Sequence, residues 1–453
     1  MKWTRNELLE LFPSHHGDVT SVSAVTEIFT DSRKHSKNGL FIPIAGERFD
    51  GHEFLAQAIE RGATAALWQI NRPRPEHIPS DFPLLLVDNT VEGLQRLAKD
   101  HLRKVSPFVA AVTGSNGKTT TKDIIEAVLS QRYRTHKTEG NFNNHIGLPL
   151  TLLAMPEDCE AVILEMGMNH FGEISALSLL AEPDAAVITN IGESHIEFLG
   201  SREGIAKAKM EIVEGLKPAG KVIYDGDEPL LAPLKEFSSV SCGYLEGNHI
   251  QITSVEAMES GLEFSLRGEE TQYLIPMLGK HNVKNASFAI AVARELGLSD
   301  SEVSNALKHL SITKMRFEQL EGQNGALLIN DAYNASPTSM KAAIEAIRDL
   351  KGYARKVLVL GDMYELGMNE KAFHESVAEV IKPPITDVMT VGGRARWIAQ
   401  AINCDSIRVS SYDSKEEVFT AVKALMAPDT IALFKASRGV GLETVVNQLT
   451  NKE

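Results

Sequence analysis

Cysteine is scarce in this chain: Cys159, Cys242 and Cys404 are widely spaced and odd in number. They fit neither a disulfide framework nor a zinc site, and they read as structural thiols of a reducing compartment. No run of 18 apolar residues occurs, so no membrane-spanning helix is expected. The N-terminal residues, Met1 to Glu7, lack the apolar core of a signal peptide. A cytoplasmic location is the expectation. Positive charge is in deficit, with 46 Lys and Arg against 60 Asp and Glu and a net charge of −14. That balance argues against a general nucleic-acid surface and leaves room for a local basic pocket. Low-complexity linkers and short repeats are absent as well.

What is present describes an ordinary globular chain of 453 residues, with 43% hydrophobic and 23% charged residues. By length it holds about three domains. Apolar runs at residues 40–44 and 84–87 read as strands, and 54–61 and 92–102 as helices, which makes a small N-terminal α/β domain. Runs at 108–112, 161–164 and 185–189 are β-branched and apolar, as buried parallel strands are. Residues 221–275 change character, and runs such as 250–255 and 262–266 suggest antiparallel strands. Helices follow at 285–296 and 301–309. From residue 314 onward, strands at 326–329, 357–360, 388–391 and 431–434 alternate with helices at 339–350, 373–381, 394–402 and 416–426. That repetition predicts a second doubly wound, Rossmann-like sheet. The fold class is therefore α/β in three domains, with boundaries near residues 99 and 313: 1–99, 100–312 and 313–453.

The most informative stretch is Thr113-Gly114-Ser115-Asn116-Gly117-Lys118-Thr119-Thr120-Thr121-Lys122. It lies between a strand and a helix, where backbone N–H groups and a helix N-terminus form a cradle for phosphate. Lys118 adds a full charge, and Thr119 offers a hydroxyl to Mg²⁺. The general pattern G-x-x-x-x-G-K-[ST] is incomplete, because Val112 stands at its first position.

Other candidates sit at strand ends. Glu165 ends an apolar strand and reads either as an Mg²⁺ ligand or as a solvated carboxylate. His195 follows the next strand, on the edge where open α/β sheets bind ligands. In a helix expected over residues 202–216, Ile205, Lys209, Ile212, Val213 and Leu216 fall on one stripe. Glu203, Lys207 and Glu211 fall on the exposed face. Lys209 therefore points inward, either as a desolvated nucleophilic amine or as a stem whose head reaches the edge. The amides Asn141, Asn143 and Asn144 suit hydrogen bonding to a ligand and equally suit a turn. Asp331 ends a strand and reads as a ribose contact or an Asx turn. Arg316, Lys435 and Arg438 each read as a surface charge when taken alone.

In this order the motifs resemble the Mur ligase family of ATP-dependent amide-bond-forming enzymes in peptidoglycan precursor synthesis. The resemblance runs through the phosphate loop, Asn141-Phe142-Asn143-Asn144 and Glu165-Met166-Gly167-Met168-Asn169. It continues through Asn190-Ile191-Gly192-Glu193-Ser194-His195, Ala208-Lys209-Met210-Glu211-Ile212 and Gly279-Lys280-His281-Asn282-Val283-Lys284-Asn285. Three further segments resemble the members that add D-alanyl-D-alanine. They are Thr30-Asp31-Ser32-Arg33 with Gly39-Leu40-Phe41-Ile42-Pro43, then Asp331-Ala332-Tyr333-Asn334-Ala335-Ser336-Pro337, then Gly361-Asp362-Met363-Tyr364-Glu365-Leu366-Gly367.

The resemblance implies that Gly114, Ser115, Asn116, Gly117, Lys118, Thr119 and Thr120 hold the ATP phosphates. It implies Asn282 at adenine, and Arg316 and Asp331 on the nucleotide from the third domain. It assigns two Mg²⁺ ions to Thr119 and Glu165, and to His195 and a carbamylated Lys209, with Lys118, Lys209 and His195 serving catalysis. It puts Ser32 and Arg33 near uridine diphosphate and Asn143 and Asn144 near the muramoyl-peptide. Tyr333 and Asn334 would face D-alanyl-D-alanine. The implied partners are UDP-N-acetylmuramoyl-tripeptide and D-alanyl-D-alanine, with no nucleic acid, no membrane span and a monomeric state. A sister ligase adding a single amino acid and a regulatory P-loop ATPase are the alternatives.

Overall fold

Alternating strands and helices run the length of the computed structural model, which describes residues 3–46, 48–258, 260–311 and 313–450. By contacts the chain divides into two units. The first holds the residues up to Val109, with Tyr133–Met166 and Ala176–Glu182; the second holds Ala110–Arg132, Gly167–Ser175 and everything from Pro183 onward.

In the first unit a five-stranded sheet runs in the order His15–His16, Leu84–Val87, Ala63–Gln69, Gly39–Phe41, Glu27–Phe29. All its pairings are parallel except that of the short His15–His16 edge. Phe29, Phe41, Leu55, Trp68 and Leu84 form its core. Ala63–Gln69 was not foreseen, because its small alanines lack the β-branched signature of a strand. A parallel pair, Thr135–Lys137 with Ala161–Glu165, also belongs to this unit.

The second unit holds two sheets. In the first, Gln272–Ile275, Gly261–Leu266, Ile250–Met258, Ser239–Gly243, Lys221–Asp225, Ala185–Ile188 and the phosphate-loop strand Phe108–Thr113 lie side by side. The expectation of antiparallel strands over 221–275 holds for the two runs that suggested it, since Ile250–Met258 and Gly261–Leu266 pair antiparallel, and needs correction for the strands before them. Lys221–Asp225 and Ser239–Gly243 pair in parallel, and Ile250–Met258 joins them in parallel before the chain turns back through two antiparallel strands. The buried strand Lys221–Asp225 was hidden by its polar ends.

The second sheet orders Glu318–Glu321, Leu327–Asn330, Thr430–Lys435, Arg355–Gly361, Asp387–Val391 and Arg408–Tyr412. Only its first pairing is antiparallel. Both faces are covered. Leu358, Leu360, Ile431 and Leu433 enter one core, while Val357, Val359, Ala432 and Phe434 enter the other. Side chains alternate across a strand, so a continuous apolar run is what a sheet buried on both faces requires. The chain thus builds a small N-terminal α/β block, a phosphate-loop sheet that is mostly parallel and a Rossmann-like C-terminal sheet.

The helix expected over 202–216 is shorter. It is α-helical over Arg202–Met210 and tightens to a 3-10 helix over Glu211–Gly215.

Candidate active site

The phosphate loop leaves the strand Phe108–Thr113 and enters the helix Lys118–Leu129. Two glycines make that turn possible. Gly114 has φ of +149°, and a Cβ there would fall 1.9 Å from Thr189 Oγ1; Gly117 has φ of +81°, and its Cβ would fall 2.7 Å from Asn285 Oδ1. Glycine at both positions lets the loop take these angles and pack directly against Thr189 and Asn285, where any Cβ would collide.

The loop's amides divide between two tasks. The N–H groups of Ser115 and Asn116 donate to Asn190, to its carbonyl at 3.1 Å and its side-chain oxygen at 2.8 Å. They brace the loop against the neighbouring strand end. Thr189 Oγ1 adds a bond to Asn116 O at 2.5 Å. The amides that open the helix, from Lys118 to Thr120, face its N-terminal end, where an anion is favoured. Lys118 Nζ donates to Gly114 O at 2.8 Å, which keeps the ammonium at the mouth of the loop.

Lys209 lies 2% exposed between Ile205 and Ile212, as its stripe required. Burial pushes its amine well below the ordinary lysine range, and the charge of Lys118 pushes the same way. Glu211, expected on the exposed face, instead accepts the N–H groups of Gly172 and Ser175.

The C-terminal block reaches the loop at two points. Arg316 donates to Thr119 Oγ1 at 3.2 Å while its guanidinium stacks 3.9 Å from the centre of the Tyr333 ring. Ser336 Oγ donates to Asn116 Oδ1 at 3.1 Å. Asp331 is held by Phe317 N–H at 3.2 Å and by Lys435 Nζ at 2.6 Å. Lys435 is therefore no surface charge. It is 3% exposed and also donates to Asn334 O. A lysine ending an apolar strand beside an acidic strand end was the signal for it. Arg438 does lie outward, 56% exposed, on Glu443.

His195 takes a left-handed conformation, and its Nδ1 lies 2.7 Å from Glu365 Oε2. That pairing draws the Glu365 carboxyl below its usual range. Asn282 is bonded on both sides of its amide, donating to Leu278 O and accepting from Asn285. Among the two, Asn285 is the one that packs against the phosphate loop.

In the first unit, Glu165 is 3% exposed and doubly braced. Its N–H donates to Thr138 Oγ1 at 3.0 Å, and its Oε1 accepts from Asn143 Nδ2 at 2.9 Å. Asn144 instead accepts the N–H groups of Ile146 and Gly147, starting the helix Gly147–Ala154. Ser32 donates to Gln57 at 2.6 Å, and the exposed Arg33 forks onto Asp31. No group of three or more His, Cys, Asp or Glu side chains gathers to cage a metal among the described residues.

The structure thus links the phosphate loop to Arg316, Tyr333 and Ser336 by direct contacts, sets Lys209 within electrostatic reach of Lys118, holds Asp331 on Phe317 and Lys435, and pairs Asn143 with Glu165 separately. Asn190, Glu193, Ser336 and Glu365 lie within the motifs, and their contacts appear only in the folded chain.

Three family descriptions match the chain: the Mur ligase family catalytic domain over residues 24–101, the Mur ligase middle domain over 112–293 and the Mur ligase glutamate ligase domain over 315–438. The UDP-N-acetylmuramoyl-tripeptide–D-alanyl-D-alanine ligase of Bacillus subtilis is 51% identical over 425 residues, 93% of this chain and 92% of the relative. The ligase of the same name from Escherichia coli is 34% identical, covering 95% of this chain and 94% of its own. The crystal structure of MurF from Acinetobacter baumannii superposes with a TM-score of 0.89 at 30% identity, over 100% of this chain and 99% of that one. MurF ligase from Thermotoga maritima in complex with ADP gives 0.84 at 30% identity, covering 94% and 97%. With the phosphate loop, its braces and three matched domains in one chain, this protein belongs to the Mur ligase family.

Proposed function

We propose that this enzyme joins D-alanyl-D-alanine to UDP-N-acetylmuramoyl-tripeptide at the expense of ATP, giving UDP-N-acetylmuramoyl-pentapeptide, ADP and phosphate. The observation that carries the reading is 51% identity, over nearly the whole length of both chains, to a ligase of that name. The tripeptide carboxylate attacks the γ-phosphorus of ATP, breaking its bond to the β-γ bridging oxygen. The acyl phosphate is then attacked at its carbonyl carbon by the amine of D-alanyl-D-alanine. The tetrahedral intermediate expels phosphate, and the amine proton is lost.

The residues present fit ATP. Gly114 and Gly117 give the loop its tight turn, and Ser115 Oγ, Asn116 Nδ2 and Arg316 Nε are buried polar atoms without a partner among the described residues. Lys118 and Arg316 offset charge that develops on the transferring phosphoryl group. Asp331, fixed by Lys435, is the group for the ribose, and Asn282 the one for the base. Tyr333 orients Arg316, and Asn334 stands beside it for the dipeptide. Ser32 and Arg33 serve the uridine diphosphate, and Asn143 and Asn144 the muramoyl-peptide.

Hard oxygen donors also fit Mg²⁺, which is commonly held through one or two carboxylates plus phosphate oxygens. Thr119 and Glu165 would serve one ion, His195 and Lys209 a second. Bound Mg²⁺ would offset the charge of two anionic reactants. Lys209 suits that task as a carbamate. Its amine, whose protonation burial disfavours, adds in neutral form to CO₂ with loss of a proton and becomes an anionic oxygen ligand. We assign residues 1–99 to the UDP-substrate, 100–312 to ATP and 313–453 to the closing domain, in a cytoplasmic monomer.

The test is phosphate release from purified protein with ATP and Mg²⁺, omitting each partner in turn. D-alanyl-D-alanine stimulates release with a lysine- or diaminopimelate-containing tripeptide nucleotide, and single amino acids do not. Stimulation by a single amino acid alone points to a sister ligase. Turnover without any UDP-sugar points to a regulatory ATPase.

A further inference from the structure

Residues 189–197 leave the strand Ala185–Ile188 and face two ways at once. Toward the phosphate loop, Asn190 accepts the amides of Ser115 and Asn116, and Ser194 Oγ donates to Ser115 O at 3.4 Å. Toward the C-terminal block, the Glu193 carboxylate meets the first turn of the helix Pro337–Asp349. It accepts Thr338 N–H at 3.1 Å, and Thr338 Oγ1 donates to it at 2.7 Å to one oxygen and 3.0 Å to the other.

That helix has a particular need for an outside acceptor. Pro337 at its first position has no N–H, and the Ser336 cap is engaged with Ser339 and with Asn116. Thr338 therefore carries the first amide, and Glu193 supplies a negative charge at the positive end of a 13-residue helix. The contacts close a ring: Asn116 to Asn190, along the chain to Glu193, across to Thr338, back through Ser336 to Asn116. The five residues before Ser336 include Asp331, Tyr333 and Asn334. Gly192 packs closely between them, since a Cβ there would lie 3.1 Å from Asn116 Nδ2 and 3.5 Å from Thr338 Oγ1.

We propose that Glu193 is a positioning residue of the nucleotide site: by clamping the start of the helix Pro337–Asp349 to the loop that braces the phosphate cradle, it sets Asp331 and the Tyr333–Arg316 stack in register with Thr119. The inference rests on the nucleotide reading of that cradle. Glu193 touches neither nucleotide nor acceptor itself.

The experiment uses the full chain and a fluorescent ADP analogue, with steady-state kinetics alongside. Glu193→Ala weakens analogue binding and raises KM for ATP by about ten- to a hundredfold, the range for losing hydrogen bonds to a charged group. KM for the UDP-tripeptide stays within about twofold of wild type. Glu193→Gln keeps the shape and one acceptor without the charge, and it falls between. Thr338→Val lowers affinity less, and combined with Glu193→Ala it adds little, because the two share one interaction. Nucleotide affinity equal to wild type in both Glu193 variants overturns the proposal. So does an equal rise in KM for every substrate together with a lowered Tm, which marks a purely structural role. If Glu193→Ala fails to fold, the isosteric Glu193→Gln carries the same comparison. Wild type that binds the analogue yet forms no amide bond overturns the ligase reading and leaves this one standing. Wild type that binds no analogue overturns both.

Discussion

At Lys209 burial and the nearby charge of Lys118 both oppose protonation, which favours the neutral, nucleophilic amine. The sequence stripe of Ile205, Lys209 and Ile212 made that position legible, because a helix of fixed period turns spacing directly into a face. Lys209→Ala should lower turnover at least about a hundredfold, the scale of losing one electrostatic stabiliser. Binding of ADP should change little. Short carboxylates such as formate or acetate should restore part of the activity, measured as acceptor-dependent phosphate release. Undiminished turnover in Lys209→Ala would remove the carbamate from the mechanism. Residues whose roles depend on a partner far along the chain were not legible. Glu193 and Thr338 are 145 positions apart, and nothing in either local sequence announces the bond.

Among the elements, the strand Arg355–Gly361 and the turn after it show how the fold supports the Glu365 contact. His374 is fully buried, accepts Met363 N–H at 3.0 Å on Nε2 and bonds Glu370 O at 2.7 Å through Nδ1. That pattern requires the neutral ring, and burial lowers its pKa from the usual 6.5. In the unfolded chain His374 takes up its proton at a higher pH than in the folded one, so acid favours unfolding. Its contribution is present above about pH 6.5 and is lost as pH falls from there toward the lowered folded value, with a slope of up to about 1.4 kcal/mol per pH unit. His374→Phe should melt lower at pH 7.5 and show a flatter fall in Tm between pH 7 and 5. Parallel Tm curves for variant and wild type would assign the acid sensitivity elsewhere. Element types were mostly readable, since runs such as 357–360 and 431–434 are apolar at every position. Pairing direction was readable where strands alternate with helices and in the runs 250–255 and 262–266, but not at 221–243. There the runs are short and broken by glycine and charge, as they would be in either direction. What separates the cases is the route of the chain between them.

On the scale of the whole molecule, an acidic chain of net charge −14 needs local positive groups to bind a polyanion, and inward cations and helix amides are the groups proposed for that task. A nucleotide that binds only the folded chain must stabilise it. ADP at 100 times its Kd should add about 2.7 kcal/mol and raise Tm accordingly. Lys118→Ala should abolish most of that shift in a thermal melt. An unchanged Tm in wild type at millimolar MgADP would count against nucleotide binding. The sequence by itself determined the α/β alternation, the phosphate loop, the inward Lys209 and the family motifs. These depend on local period, turn chemistry and residue type, which lie within a dozen neighbouring positions. Only the tertiary structure decided that Ser115 and Asn116 spend their amides on Asn190, that Lys435 is buried on Asp331 and that Arg316 reaches Thr119. Each of those joins groups from separate strands and loops. Such a bond is fixed by how the sheets pack and which strand ends meet, a property of the folded chain that no short window of residues contains.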